Sequence, residues 1–196
     1  THKVFGEDFG ILAGDALLNY AYEVMTSAVC AASPENMKNC AGAAAVIARK
    51  AGIFGMVGGQ SLDVLLTDKP VNEKEMEFIF NLKTGALIEA AFMAGAILAG
   101  AGKECVSQLE KAGNLVGVAF QIKDDILDVT STQEVLGKPV FSDEKNNKTT
   151  YVTLYGMEKA AADVENMSEK AESIVKSIGD NEFLIELINK LISREK

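Results

Sequence analysis

The segment from Phe120 to Asp128 places several oxygen-bearing side chains on one side of a predicted helix. At 3.6 residues per turn, Gln121, Asp124, Asp125 and Asp128 fall within an arc of roughly 100°. Carboxylates at this spacing repel one another, and near a helix C-terminus the helix dipole disfavours them further. A helix that tolerates both penalties indicates that its carboxylates bind a positively charged group.

Carboxylate ligands without histidine or cysteine favour a hard cation, Mg²⁺ or Mn²⁺ rather than zinc. The single histidine is His2, which excludes Ser-His-Asp triads and histidine-rich zinc sites. Magnesium held by a few carboxylates usually takes its other ligands from water and phosphate. Two other interpretations stay open at this point: a solvated acidic face, or ion pairs between these aspartates and lysines of another helix.

Composition limits the classes of function. The 196 residues are 48% hydrophobic and 24% charged, typical of one globular domain, and the net charge of −9 argues against nucleic acid as a partner. The most apolar stretch, Ala86 to Gly102, carries Glu89 and three glycines, so we expect a buried helix and no membrane span. The three cysteines lie at no metal-ligand spacing and are typical of core residues in a reducing, cytoplasmic compartment.

The periodicity predicts an all-α fold, a helical bundle around one cavity. The chain has prolines only at Pro34, Pro70 and Pro139, and Asn72 and Glu75 have the spacing of a capping box. Between Thr130 and Thr150 a polar, lysine-rich segment predicts a long functional loop. The predicted helices are Lys3–Ala32, Pro34–Lys50, Gly52–Thr67, Asn72–Ala101, Glu104–Val129, Tyr151–Ser177 and Asn181–Arg194.

Lys83 interrupts an otherwise apolar predicted helix. Such a lysine either extends outward to solvent or points into a polar cavity, and Gly85 offers a place for a kink. Gln60 and Asp63 share a face of another apolar helix, where they could line a cavity or form a buried pair. Gly113 and Gly117 precede Gln121 on its own face, and for them we expect close helix packing. None of these features is specific alone.

Taken in order, four segments resemble the short-chain trans-isoprenyl diphosphate synthases, the farnesyl and geranylgeranyl diphosphate synthase family. They are HKVFGEDFGILAGDALL from His2, GGQSLDV from Gly58, KTGALI from Lys83, and FQIKDDILD from Phe120 followed by GKP, SD and NNKTTYV. The resemblance covers nearly the whole chain. It implies the isoprenoid synthase bundle, Mg²⁺ as cofactor, allylic diphosphate and isopentenyl diphosphate as substrates, and a homodimer.

The same resemblance assigns roles to individual residues. The metal-side residues would be Asp124, Asp128, Asp125 and, through bound water, Asp143. The diphosphate would be bound by Lys83, Lys138 and Lys148, with Gln60 and Asp63 in the cavity wall. Thr84 and Gln121 would stabilise the allylic cation with oxygen dipoles. The implied reaction is ionisation, condensation and proton elimination, with the departing diphosphate as base.

The chain departs from the family pattern in two places. Its first residues resemble a segment that follows an earlier aspartate-rich motif in the family, so we expect a single domain over residues 1–196 that lacks the N-terminal helices. Phe141 stands where the family commonly has glycine. Three interpretations follow: the catalytic part of a prenyltransferase, a non-catalytic substrate-binding or regulatory subunit, and a terpene cyclase. The cyclase is disfavoured because no NDxxSxxxE-type motif follows Asp128.

Overall fold

The computed structural model describes residues 1–130, 149–179 and 181–194, and these ranges contain helices and no strand, which confirms the all-α fold. In chain order, the helices are α1 His2–Phe5, α2 Glu7–Ala31, α3 Met37–Ala51, α4 Met56–Leu65, α5 Glu73–Ile79, a π-helical segment Phe80–Gly85, α6 Ala86–Leu98, α7 Lys103–Thr130, α8 Tyr151–Tyr155, α9 Met157–Ile178 and α10 Glu182–Ser193.

Helix α7 is the central element of the bundle. It packs against α6 on one side and α9 on the other, while α3 covers α6 and α4 lies on the π-helical segment. Its small and β-branched residues Ala112, Val116 and Ile122 are fully buried. Two apolar clusters surround it, one with α5 and α9 and one with α9 and α10. The aspartates therefore stand on the most enclosed helix that the structure describes.

Two glycines of α7 allow α6 to approach closely. A Cβ atom on Gly113 would lie 2.8 Å from the Cα of Glu89, and one on Gly117 would lie 2.5 Å from the Cα of Gly85. Neither distance is possible without a backbone shift. The expectation that these glycines serve helix packing is confirmed, and the packing fixes α7 against the segment that carries Lys83.

Several predicted helices are divided by glycine. The φ angles of Gly6 and Gly156 are +92° and +83°, a region that favours glycine, and each ends one helix and starts the next. Helix α3 begins at Met37 and not at Pro34, and α4 begins at Met56. The capping box at Asn72 is confirmed, because its side chain accepts from the Glu75 N–H while the Glu75 side chain accepts from the Asn72 N–H.

The apolar stretch predicted as a buried helix lies within the bundle. By length and composition alone, two helical stretches, Met37–Leu65 and Glu73–Leu98, could cross a membrane. Helix α6 in the second stretch packs between α3 and α7, with Ala86, Ala90 and Ala94 buried, as expected for a core helix. The cysteine prediction was wrong in part, because Cys30 is exposed and the other two cysteines are only half-buried.

Candidate functional site

A cavity of about 370 Å³ opens between α4, the loop after it, the start of the π-helical segment and α7. Its apolar wall is made by Leu66, Val71, Met76, Ile79 and Phe80. Its polar groups come from four separate parts of the chain: Asp63, Thr67, Asp68, Lys69, Lys83, Gln121, Asp125 and Thr149. An apolar pocket with a few convergent polar groups is the usual form of a small-molecule site.

Lys83 points into this cavity and does not extend outward to solvent. Its Nζ donates to Oδ2 of Asp63 at 2.6 Å, and the two side chains are 31% and 16% exposed. The close contact of α4 explains this placement, because a Cβ on Gly59 would lie 2.3 Å from the Lys83 backbone nitrogen. Lys83 and Asp63, which were predicted separately as a diphosphate ligand and a cavity-wall residue, thus form one cation–carboxylate unit at the cavity.

Thr84 and Gln121 are brought together across the helix interface. The Thr84 hydroxyl donates to Oε1 of Gln121 at 2.9 Å, and Gln121 lines the cavity. Thr84 and Lys83 both lie in the π-helical segment, where the chain forms a wider turn and not the glycine kink suggested by Gly85. Single π-turns inside α-helices occur frequently at functional sites.

The three aspartates of α7 lie in different surroundings. Asp125 and Asp128 are buried, with 6% and 3% of their surfaces exposed, so the solvated-face interpretation is wrong for these two. Asp124 is more open and pairs with Arg194, which follows α10 and also stacks over the Phe120 ring. This is the inter-helix ion pair left open by the sequence, with an arginine where a lysine was considered.

Asp125 also fixes the start of α8. Its Oδ2 accepts the backbone N–H of Tyr151 at 2.7 Å, at the first residue of α8. The Tyr151 phenol donates to Asp163 at 2.6 Å, as does Lys159, and its ring stacks on Phe80 with centroids 6.1 Å apart. Burial and then Asp163 raise the pKa of the Tyr151 phenol, while hydrogen bonds from Lys159 and Tyr151 lower the pKa of Asp163.

The donor chemistry of this helix suits a magnesium ion, but the acids do not form a compact cluster. In the part of the chain that the structure describes, no group of three His, Cys, Asp or Glu side chains is arranged to hold a metal. Asp124 and Asp128 lie one turn apart on α7. Magnesium is commonly held by one or two carboxylates together with substrate phosphates. Neither Asp124 nor Asp128 is among the residues that line the cavity.

Other predicted residues lie beside the cavity or beyond what is described. Gln60 is half-buried one turn before Asp63 and does not line the cavity. Lys138, Asp143 and Lys148, together with Phe141, lie outside the described residues.

The sequence analysis missed four polar cavity residues outside the helices. Thr67, Asp68 and Lys69 follow α4, and Asp68 has a φ of +60°, which is rare outside glycine and concentrates at functional sites. Thr149, the first described residue after position 130, accepts the Val71 N–H at 3.3 Å. The Asp-Lys-Pro sequence directly after an apolar helix was the available signal, since polar loop residues beside a rigid scaffold often bind ligands.

A family model described as polyprenyl synthetase matches residues 1–188. Geranylgeranyl pyrophosphate synthase 3 of Arabidopsis thaliana is 41% identical over 176 residues, which are 88% of this chain and 48% of that protein. Farnesyl diphosphate synthase of Geobacillus stearothermophilus is 39% identical over 84% of this chain and 56% of its own length. The chain thus spans about half the length of these relatives.

Solved structures agree with the sequence relatives. Geranylgeranyl pyrophosphate synthetase of Pyrococcus horikoshii superposes with a TM-score of 0.83 at 28% identity, covering 99% of this chain and 69% of that one. Geranyltransferase of Helicobacter pylori, solved with magnesium and isoprenyl diphosphate, superposes with a TM-score of 0.81 at 28% identity, covering 97% and 61%. Both extend beyond the region matched by this chain.

Proposed function

The chain belongs to the polyprenyl synthetase family, and on that basis we propose that it is the catalytic part of a short-chain trans-prenyl diphosphate synthase. The reaction joins an allylic diphosphate to isopentenyl diphosphate and yields farnesyl or geranylgeranyl diphosphate. One observation carries this proposal: the cavity gathers the Lys83–Asp63 pair, Gln121 with its Thr84 partner, and the buried Asp125. A cation, neutral oxygen dipoles and carboxylates are the groups that ionisation of an allylic diphosphate requires.

Lys83 is proposed to bind the diphosphate of the allylic substrate. Its ammonium group is a point charge with three donors, and Asp63 uses only part of that capacity at 2.6 Å. Asp63 holds the side chain toward the cavity, so that little side-chain freedom is lost when the diphosphate binds. The departing group gains negative charge as its C–O bond breaks, and a fixed cation at this point stabilises the change.

Thr84 and Gln121 are proposed to face the carbon skeleton of the allylic cation. The Thr84 hydroxyl hydrogen is used in the 2.9 Å bond to Gln121, which leaves the lone pairs of the Thr84 oxygen and the second lone pair of Gln121 Oε1 available. Neutral oxygen dipoles stabilise a positive charge and do not react with it as a free carboxylate or amine would.

Asp124 and Asp128 are proposed to hold Mg²⁺ or Mn²⁺, with Asp125 as a supporting residue. The metal, when bound, neutralises the diphosphate and favours its departure. Asp125 is engaged with the Tyr151 N–H, which suits a residue that holds the start of α8 beside the cavity. Arg194 is paired with Asp124 and would have to leave it when the metal binds. The roles expected for Asp143, Lys138 and Lys148 remain predictions.

In the proposed reaction, the bonds that break and form belong to the two substrates. The allylic C–O bond breaks, and its electron pair leaves with the diphosphate. The double bond of isopentenyl diphosphate then supplies the electrons of the new carbon–carbon bond. The departing diphosphate accepts the proton whose loss restores a double bond, which agrees with a chain whose only histidine is the exposed His2.

The surface of α2 supports the proposal of a homodimer. None of its 25 residues is buried, although Phe9, Leu12 and Tyr20 form one apolar face and Ile11 and Leu18 lie on the opposite face. An apolar helix with two uncovered faces is expected to be covered in the assembled protein. The proposed location is the cytoplasm.

A second candidate function is a substrate-binding or regulatory subunit that does not catalyse transfer alone. The observation that favours it is that the cavity with Lys83 and Gln121 is lined by Asp125 but not by Asp124 or Asp128. Positioning both substrates supplies much of the rate in such a condensation. A chain that positions only one of them would bind the diphosphate and turn over slowly.

Prenyl transfer by this chain tests the proposal. The assay supplies isopentenyl diphosphate, Mg²⁺ and allylic primers of several lengths, with EDTA as the control. Magnesium-dependent product is expected, and the product length identifies the specificity. Diphosphate binding without product would favour the subunit. The absence of both would contradict the two candidates.

A further inference from the structure

A buried polar network lies behind the segment that carries Lys83 and Thr84. Glu89 lies on α6 and is 7% exposed. Its carboxylate accepts a hydrogen bond from Nδ2 of Asn114 at 2.7 Å and forms an ion pair with Lys50 of α3. Lys50 also donates to Glu110 at 2.8 Å. Buried charges persist in proteins when they are paired and hydrogen-bonded, as these are.

Asn114 connects this network to the π-helical segment. Its Nδ2 donates to Oδ1 of Asn81 at 2.9 Å as well as to Glu89, so both amide hydrogens are used. Asn81 precedes the Lys83–Thr84 pair and Glu89 follows it. The Asn114 side chain thus holds the chain on both sides of Lys83 and Thr84.

The π-turn explains how one amide can reach both partners. In a regular α-helix, residues eight apart differ by roughly 80° around the axis. A π-turn absorbs about one extra residue, so that the same two residues behave as if seven apart and lie almost in line. Simultaneous bonds from Asn114 to Asn81 and Glu89 therefore favour the π-helical form of residues 80–85 over the α-helical form.

Backbone packing places Asn114 where it can act in this way. It lies between Gly113 and the turn that contains Gly117, the two glycines that bring α7 against Glu89 and Gly85.

Lys50 remains a cation beside Glu89 and Glu110. Burial alone would lower its pKa, but its bonds to Glu110 and Glu89 outweigh that effect and raise it.

We propose that Asn114 and Glu89 are positioning residues that hold residues 80–85 in the π-helical form and thereby direct Lys83 into the cavity and Thr84 toward Gln121. If the segment returned to an α-helix, the residues on one side of it would rotate by roughly 100° relative to the other side. Lys83 and Thr84 could then not both keep their bonds to Asp63 and Gln121. The inference rests on the proposed function only for its effect on diphosphate binding.

The test compares Asn114→Leu and Glu89→Leu with Glu89→Gln, which keeps the acceptor oxygen for Asn114. Gln108→Leu is the control, because its bond to Glu104 stays within α7. Amide hydrogen exchange of Lys83 and Thr84 reports on the π-turn, and calorimetric titration with inorganic pyrophosphate and Mg²⁺ reports on the site. Both leucine variants lose the buried bond between Asn114 and Glu89, and loss of such a bond to a charged group should give about tenfold faster exchange at these amides and about tenfold weaker binding. Glu89→Gln and Gln108→Leu should stay near the wild type.

Three results would overturn the inference. In the leucine variants, amide exchange could be unchanged at residues 83 and 84, or it could rise equally along α6 and α7. Exchange could also rise at residues 83 and 84 while the affinity for pyrophosphate stays the same. If Asn114→Leu fails to fold, the pair Glu89→Leu and Glu89→Gln gives the same comparison. A wild-type chain that binds no pyrophosphate would contradict the proposed function instead, and the exchange rates would still decide whether Asn114 and Glu89 hold the π-turn.

Discussion

At the scale of single residues, neighbouring aspartates of one motif have different tasks. Asp125 accepts the Tyr151 N–H and Asp124 pairs with Arg194, although the two are adjacent in sequence. The sequence spacing predicted that both aspartates lie on one face of the helix. It could not predict which partner each one binds, because the partners come from α8 and from the end of α10. Pairing partners distant in sequence are set by the tertiary fold.

Replacing Asp124 by Asn is predicted to weaken magnesium-dependent pyrophosphate binding by more than about 10-fold, since even outer-shell partners of a metal change its affinity by roughly 10–100-fold. Arg194→Met removes the same ion pair and leaves the carboxylate, so it should retain binding. Calorimetric titration of both variants separates the two effects. Equal losses in both, or none in Asp124→Asn, would contradict the role of Asp124 in metal binding.

At the scale of elements, the contacts of α8 fix the chain at Thr149–Tyr151 beside the cavity. Tyr151 joins three elements through its N–H to Asp125, its phenol to Asp163 and its ring against Phe80. The capping box and the positions of α5 and α7 could be predicted from local sequence. The π-turn and the division at Gly156 could not, because they depend on packing between helices and on a backbone angle that the residue only permits.

Asp163 is predicted to make the free energy of unfolding depend on pH. Its hydrogen bonds from Lys159 and Tyr151 lower its pKa, so its contribution is complete above the unfolded-state pKa and is lost as the pH falls through the folded-state value. Asp163→Asn should therefore destabilise the protein by about 1 kcal/mol at pH 7 and by progressively less below pH ~4. Urea unfolding of both proteins across this range measures the difference. A difference that does not change with pH would contradict the prediction.

At the scale of the whole molecule, α2 presents apolar side chains that remain exposed in a single copy of the chain. Phe9, Leu12 and Tyr20 are each more than half exposed on one face of a 25-residue helix. Helix α2 contacts α1 and α3, and these contacts leave its apolar residues exposed. The exposed apolar faces support the proposal that a second copy of the chain covers this helix.

We expect the purified chain to form a dimer through α2. Replacing Leu12 and Tyr20 together by Glu should give a monomer, because two charges would have to be buried in the interface. Phe183→Glu is the matched control, since Phe183 is 77% exposed on α10. Sedimentation equilibrium measures the mass. A monomeric wild type, or a dimer that the α2 variant leaves intact, would contradict the interface.

The most direct test of the proposed site is calorimetric binding of a non-ionisable allylic diphosphate analogue, with Mg²⁺, to the wild type and to Lys83→Met. Lys176→Met is the control, because Lys176 is 60% exposed and pairs with Glu172 on α9. If the cavity beside α4 and the π-helical segment is the allylic site, Lys83→Met should bind about 10- to 100-fold more weakly, the loss of one charged hydrogen bond. Lys176→Met should bind like the wild type. Equal affinity in all three proteins would contradict the assignment of the site.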